Sequence, residues 1–429
     1  MRQAEKKWKK ILGAVLALSL MSGCGAASGG TGEWNPALKN VLGLTEEQRL
    51  EDYDYLVSTL KDSYLCLGIH DRENPDYPAE DIFRDYREMI EETDSDEAFY
   101  SAVYSTLYLL GTYGHLWIIE PEAYRDYLSS YCGGQMDGWT EDRAHWKEVL
   151  ESAVTKEGYE KLQKLLEAEE SGDDSGNTGI ETEEEKTSNI QTLRLSELGI
   201  GYVKIDSFPA DYEEDQKQLF EFYDALGGYT DLIIDVTENS GGSELYWQNL
   251  LVAPFTDKPL SCTNYALLAD SENNRPYIEN VFSEEELHPA DELPDLPELN
   301  WNGLEAADYY VESVLAVQPG SYRAPFDGRI WVLTGPQVYS ASESFSVFCK
   351  ETGFAKLVGG QTGGDGIGSL DPVFLQLPNS GILVQYTMLY GLNPDGSSSE
   401  EAGTTPDILS DDMESPLVTV LREIERAEH

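Results

Sequence analysis

The chain has 429 residues, 40% of them hydrophobic, and a formal net charge of −51. That length can bury one large core or two smaller ones. An acidic excess of this size argues against nucleic acid and anionic lipid headgroups as partners, although much of it falls in tails and loops and speaks to solvation more than to a site.

Arg2, Lys6, Lys7, Lys9 and Lys10 precede the apolar run Ile11 to Met21. A basic segment followed by a short apolar one is a secretory signal, too short to persist as a membrane span. The run closes on Met21-Ser22-Gly23-Cys24. Small residues before a cysteine resemble the bacterial lipoprotein signal, which implies removal of residues 1–23 and lipidation of Cys24. The alternative is an ordinary secretory signal with an incidental cysteine. Residues 24–43, rich in Gly, Ala and Ser at their start, read as a flexible tether. The expected location is the extracytoplasmic face of a bacterial membrane.

Residues 44–166 read as a helical domain. Thr45-Glu46-Glu47-Gln48 resembles a capping box, and apolar residues then recur at helical spacing through Leu65. Further helices fit Ala79 to Ile90 and Asp96 to Leu110, the latter stopped by Gly111. Thr112-Tyr113-Gly114-His115 forms a turn into Leu116-Trp117-Ile118-Ile119, and Glu141 to Leu166 reads as more charged helix. Residues 167–189 hold almost no apolar side chain and read as a disordered acidic linker.

From residue 190 the texture changes. Ile200 to Ile205 and Asp231 to Val236 read as strands with a helix over Asp215 to Leu226 between them. That alternation implies an α/β domain with parallel pairing. Residues 256–326, Pro-rich and acidic, read as an insertion. Val373 to Leu377 and Ile382 to Met388 read as a hairpin across Pro378-Asn379-Ser380-Gly381. Cys66, Cys132, Cys262 and Cys349 match no zinc spacing, and the sequence leaves disulfides and free thiols equally open. No His-Glu-x-x-His or other ligand cluster occurs, so no metal or cofactor is expected.

Four motifs carry chemistry. The strand Arg329 to Thr334 leads to Val338-Tyr339-Ser340-Ala341-Ser342-Glu343, which opens a helix. A serine there can expose its hydroxyl beside the free N–H groups of the helix start, or it can simply cap the helix. Asp235-Val236-Thr237-Glu238-Asn239-Ser240-Gly241-Gly242 closes a buried strand, and its paired glycines allow close backbone approach to a carbonyl. Val358-Gly359-Gly360-Gln361-Thr362-Gly363-Gly364-Asp365-Gly366 is a glycine loop without the lysine of a phosphate-binding loop. Gly403-Thr404-Thr405-Pro406-Asp407 lies near the end.

These four motifs, in this order, resemble the C-terminal processing peptidase family and its tricorn-core relatives, from about Gly199 to Ile408. The resemblance implies a crotonase-like α/β core of ββα units, preceded by the helical N-terminal domain, and a serine peptidase activity. It makes Ser340 the nucleophile and gives the oxyanion hole to the N–H of Ala341 with that of Gly241 or Gly242. Processing peptidases activate the serine with a lysine at the position of Asp365, so that base is missing here. An ionised Asp365 is expected to take no part in the chemistry, since it would oppose a developing oxyanion. The tricorn-like branch uses a histidine after the N-terminal helices, and Tyr113-Gly114-His115-Leu116 occupies that place. A neutral imidazole can take a serine proton near neutral pH. Gly114 stands where that branch has a serine. Glu400 matches the branch's glutamate and is expected to meet His115 directly or through water.

No peptide-binding PDZ module is recognisable. The expected protein is a lipid-anchored serine endopeptidase acting on peptide or protein substrates through Ser340 and His115. The alternatives are a binding lipoprotein that keeps this fold without the chemistry, and an ordinary solute-binding lipoprotein, which would show two similar α/β lobes.

Overall fold

The computed structural model describes residues 40–133, 143–172, 188–368, 371–411 and 414–427, with the side chains of 164–172 excepted. Cys24, the signal segment and residues 173–187 of the expected linker lie outside them.

The first helix, α1 (Glu46–Ser63), starts where the sequence predicts. The Thr45 hydroxyl accepts the Gln48 N–H at 3.2 Å, and the Gln48 side chain accepts the Thr45 N–H at 3.0 Å. This reciprocal pair satisfies two donors that a helix start leaves open. α2 (Leu67–Glu73), α3 (Ala79–Glu91) and α4 (Asp96–Leu110) follow. A single-turn helix at Tyr113–His115 leads into β1 (Trp117–Ile118). Then come α5 (Pro121–Cys132), α6 (Ala144–Glu151) and α7 (Ala153–Gly172). Two boundaries differ from expectation. The tether ends before Leu42, which is buried, and the Gly43 N–H donates to Asp96 at 2.7 Å. α7 runs six residues into the expected linker, through Glu167-Ala168-Glu169-Glu170, because Glu and Ala are intrinsically good helix formers.

The remaining elements are β2 (Ile190–Leu195), β3 (Ile200–Ile205), α8 (Glu213–Asp224), β4 (Asp231–Asp235), α9 (Glu244–Trp247) and β5 (Leu260–Leu268). After them run α10 (Arg275–Val281), β6 (His288–Pro289), β7 (Tyr309–Val317), β8 (Arg329–Thr334), α11 (Ala341–Thr352) and β9 (Lys356–Gly359). β10 (Val373–Gln376), β11 (Leu383–Tyr386), β12 (Tyr390–Leu392), α12 (Ser399–Ala402), β13 (Ile408–Leu409) and α13 (Pro416–Ala427) complete the chain.

The fold is mixed α/β. The largest sheet has the order β13-β9-β8-β4-β3-β2, parallel throughout except at β2–β3. β4 is buried along its whole length, as a central parallel strand must be when both faces are covered. Asp235 of β4 stands opposite Leu333 of β8, and Thr334 stands opposite Gly359 of β9. The turns after these three strands therefore leave the sheet at one end, the end where α/β sheets bind ligands.

A second sheet, β12-β5-β7-β6, and a third, β1-β11-β10, are antiparallel. The span expected as an insertion supplies β5 and β7, paired over nine residues from Leu260↔Val317 to Leu268↔Tyr309. The expected hairpin is present as β10–β11. Two apolar clusters form the interior. One joins α1–α7 to β5 and β10–β12, and the other lies around the parallel sheet, α8 and α11. The four cysteines among the described residues are free thiols. Among those residues no helix is long and apolar enough to cross a membrane.

Candidate active site

Ser340 stands at the N-cap position of α11 but makes no capping hydrogen bond with its side chain. Its backbone sits at φ 55°, ψ −126°, a conformation that costs an L-residue energy and recurs at nucleophile turns. The turn holds it there. The Ser340 N–H donates to Gly364 O at 3.1 Å, and the Gly363 N–H donates to Val338 O at 2.7 Å. The hydroxyl is consequently free to face His115, whose Nε2 lies 3.2 Å from Ser340 Oγ. Ser342, the other serine of the motif, is fully buried, and its Oγ has no partner among the described residues.

His115 comes from the opposite apolar cluster. Its turn follows α4, and β1 behind it is locked to β11 through Trp117↔Gln385 and Ile118↔Val384. His115 also has positive φ, 56°. Edge-on contacts with Trp117 and Tyr339, at centroid distances of 5.1 and 5.2 Å, clamp the ring from two sides. The residue before it can only be glycine. Gly114 has φ 53°, and a Cβ there would sit 2.5 Å from Thr387 Cγ2 and 3.2 Å from Cys66 Sγ. The serine found here in the tricorn-like pattern has no room.

Asp365 does not stay out of the site as the sequence suggested. Its Oδ2 lies 3.0 Å from His115 Nε2, the same nitrogen that faces Ser340. The glycine loop makes this contact. A Cβ on Gly364 would sit 2.4 Å from Ser399 O and 2.8 Å from Glu400 O, so the loop lies directly on α12 and Asp365 turns toward His115 with φ 59°. His115, Ser340 and Asp365 are the three non-glycine residues with positive φ among those described. Backbone strain is thus concentrated on the three side chains that converge.

Glu400 does not contact His115. Its carboxyl accepts the Tyr339 hydroxyl at 3.0 Å and the Gly114 N–H, and it shares a hydrogen bond with Asp365. Burial, and then the charge of Asp365, push the Glu400 carboxyl well above its usual range. The same surroundings raise the Tyr339 phenol and the Cys66 thiol, in both cases chiefly by burial. The hydrogen bond between Glu400 and Asp365 thus joins the Tyr339 and Gly114 contacts to the carboxylate that faces His115.

The glycine pair after β4 approaches Ser340 closely. A Cβ on Gly241 would meet Tyr339 O at 2.7 Å and Ala341 N at 3.0 Å. Gly242 has φ 128°, and a Cβ there would lie 2.1 Å from Phe208 O. The N–H of Gly241 is already given to Asn239 Oδ1 at 2.8 Å, so of the two glycines expected as donors only Gly242 keeps a free N–H. The N–H groups of Gly242 and Ala341 have no acceptor among the described residues. Asn239 braces this turn by also donating to Ile205 O at 3.1 Å. Tyr339 and Asn239 lie inside the quoted motifs but were given no role from sequence, and Asp365 was expected to take no part.

A hydroxyl facing an imidazole, with free N–H groups at the adjoining helix start, defines the class of nucleophilic serine hydrolases. Residues 199–410, just under half of the chain, match the model of peptidase family S41. The match agrees with the resemblance of this region to the C-terminal processing peptidases and supports a serine-type peptidase. No curated protein matches the chain. A Parabacteroides merdae protein solved as a candidate peptidase superposes with a TM-score of 0.51 at 17% identity, covering 88% of this chain and 96% of that one. Mature CPAF complexed with lactacystin superposes with a TM-score of 0.50 at 14% identity, covering 89% and 97%. At these identities the likeness is one of fold.

Proposed function

We infer that the protein is a lipid-anchored serine endopeptidase in which Ser340 attacks a peptide carbonyl and His115 is the general base. The observation that carries this reading is the 3.2 Å approach of His115 Nε2 to Ser340 Oγ, between two residues each held at positive φ. In acylation the Ser340 O–H bond breaks as Nε2–H forms, and Oγ bonds to the carbonyl carbon. The oxyanion meets the N–H groups of Gly242 and Ala341. The proton on Nε2 then passes to the leaving nitrogen as the C–N bond breaks. Water then gives a proton to the same Nε2 as its oxygen bonds to the acyl carbon, and that proton passes to Ser340 Oγ as the C–Oγ bond breaks. Glu400 acts behind this pair and does not touch the imidazole.

The parallel sheet with α11 is read as the family's crotonase-like core, and α1–α7 as its helical N-terminal domain. The inactive-binder alternative rested on the missing lysine and on Gly114. The close Ser340–His115 approach supports the enzyme instead. Anchoring through Cys24 rests on the sequence alone, and Cys24→Ser should move the protein from the membrane fraction to the soluble one. The activity is tested with a fluorogenic peptide library. Ser340→Ala and His115→Ala should each lower hydrolysis by a factor on the order of 10² or more, with both variants still folded. Hydrolysis unchanged in either variant contradicts the assignment.

A further inference from the structure

Nε2 of His115 has two partners and can serve only one at a time. Ser340 Oγ stands 3.2 Å away and Asp365 Oδ2 3.0 Å away. An imidazole nitrogen carries either one lone pair or one proton in the ring plane. The usual third member of such a site orients the ring from Nδ1. Here the carboxylate sits on the catalytic nitrogen itself.

We propose that Asp365 is the positioning residue of the site, taking the Nε2–H of His115 once Ser340 has given up its proton, with Glu400, hydrogen-bonded to Asp365, holding it in place. This rests on the Ser340/His115 reading. The sequence of events balances. Before attack, the Nε2 lone pair accepts the Ser340 hydroxyl proton. Once protonated, Nε2 turns its new N–H to Asp365 Oδ2, so the imidazolium is paired and the proton does not fall back on Oγ. The same proton is then released to the leaving nitrogen, and Asp365 ends as it began.

Three observations support the arrangement. Gly364 lies so close to Ser399 O and Glu400 O that no side chain fits there, which fixes Asp365 against both Glu400 and His115. Glu400 is buried and hydrogen-bonded to both Asp365 and the Tyr339 hydroxyl, and burial and then the Asp365 charge push its carboxyl up. Finally, among the described residues the remaining groups facing the pair supply no cation of their own. They are Tyr64, Cys66, Tyr113, Tyr339 and Glu343, while Arg72 is taken by Glu401 at 2.7 Å. His115 is thus the group left to balance the Asp365 charge.

The test compares variants of the full chain on a peptide substrate. Asp365→Asn keeps the side-chain size, and Asn tolerates positive φ as Asp does. It should lower kcat on the order of 10²-fold while KM changes by less than about threefold, because the ring loses its counter-charge and the substrate loses no contact. A merely structural residue would move KM and thermal stability together with kcat. Glu400→Ala should also lower kcat. Glu400→Gln should recover at least about tenfold of that loss, since an amide can donate to Asp365 and still accept from Tyr339 and Gly114. Wild-type or higher kcat in a folded Asp365→Asn variant overturns the proposal. If that variant does not fold, the Glu400 pair decides. Equal losses in Glu400→Gln and Glu400→Ala overturn it, and recovery in Gln upholds it. In either negative case, loss of hydrolysis in Ser340→Ala and His115→Ala would leave the peptidase reading standing.

Discussion

Two serines of one short motif have different surroundings, and those surroundings decide which can react. Ser340 Oγ looks at an imidazole, while Ser342 Oγ is buried with no partner among the described residues. A buried hydroxyl without a hydrogen bond costs about 1–3 kcal/mol in desolvation. Ser342→Ala should therefore leave peptide hydrolysis within a few-fold and keep or raise thermal stability, measured as Tm. A large loss of hydrolysis would mean the wrong serine has been assigned. Ser340, His115 and the glycine pair could be named from sequence because each lies inside a local motif. Asp365 lies inside one too, but the motif gave it no part in the chemistry. Sequence shows only that a lysine is missing there, whereas the Asp365–His115 contact depends on the glycine loop folding onto α12, 33 residues or more along the chain. For the same reason sequence could not tell Gly241 from Gly242. The difference is a side-chain bond from Asn239 that consumes one N–H.

At the scale of elements, α11 carries a buried acid three residues after the nucleophile. Glu343 accepts the Thr404 hydroxyl at 2.6 Å, and its second oxygen has no partner among the described residues. Burial, with the charge of Asp365 adding to it, pushes its carboxyl up to about 7. The sign follows from linkage. The unfolded chain releases this proton near the ordinary glutamate value, and the folded chain keeps it until about pH 7. The contribution to stability is therefore full below about pH 4.5 and is lost as pH rises toward 7. The loss is about 3 kcal/mol. Glu343→Gln, neutral at every pH, should remove that slope. Denaturant titrations at pH 5 and pH 8 should show a smaller difference between the two pH values for the variant than for the wild type. Equal differences would contradict the burial argument. Long helices such as α1 and α4 were legible from periodicity and caps. β1, two residues long, and α2, seven long, carry too little pattern. β5 and β7 were hidden in a Pro-rich acidic span, because β7 and the first half of β5 carry exposed residues and only pairing with each other makes them strands.

On the scale of the whole molecule, the site spans the two apolar clusters. His115 is held by the cluster that joins the first helices to β10–β12, and Ser340 by the cluster around the parallel sheet. The first helices are for that reason no detachable accessory. They cover Phe374, Leu383 and Val384 of the late hairpin, and β1 completes the hairpin's sheet. A chain beginning at Ser188 should fail to unfold cooperatively in a thermal scan and should expose apolar surface to dye. Cooperative unfolding of that fragment would contradict the shared core. Composition suggested two separate domains, since helix and strand textures are segregated along the chain. It could not reveal that the last strands return to pack on the first helices. The central claim is that Ser340 is an activated nucleophile with His115 as its base. The most direct measurement is to label the protein with a fluorophosphonate and locate the adduct by peptide mass mapping. The adduct should fall on Ser340 in the wild type and be strongly reduced in His115→Ala. No adduct, an adduct on Ser342, or undiminished labelling in His115→Ala would contradict it.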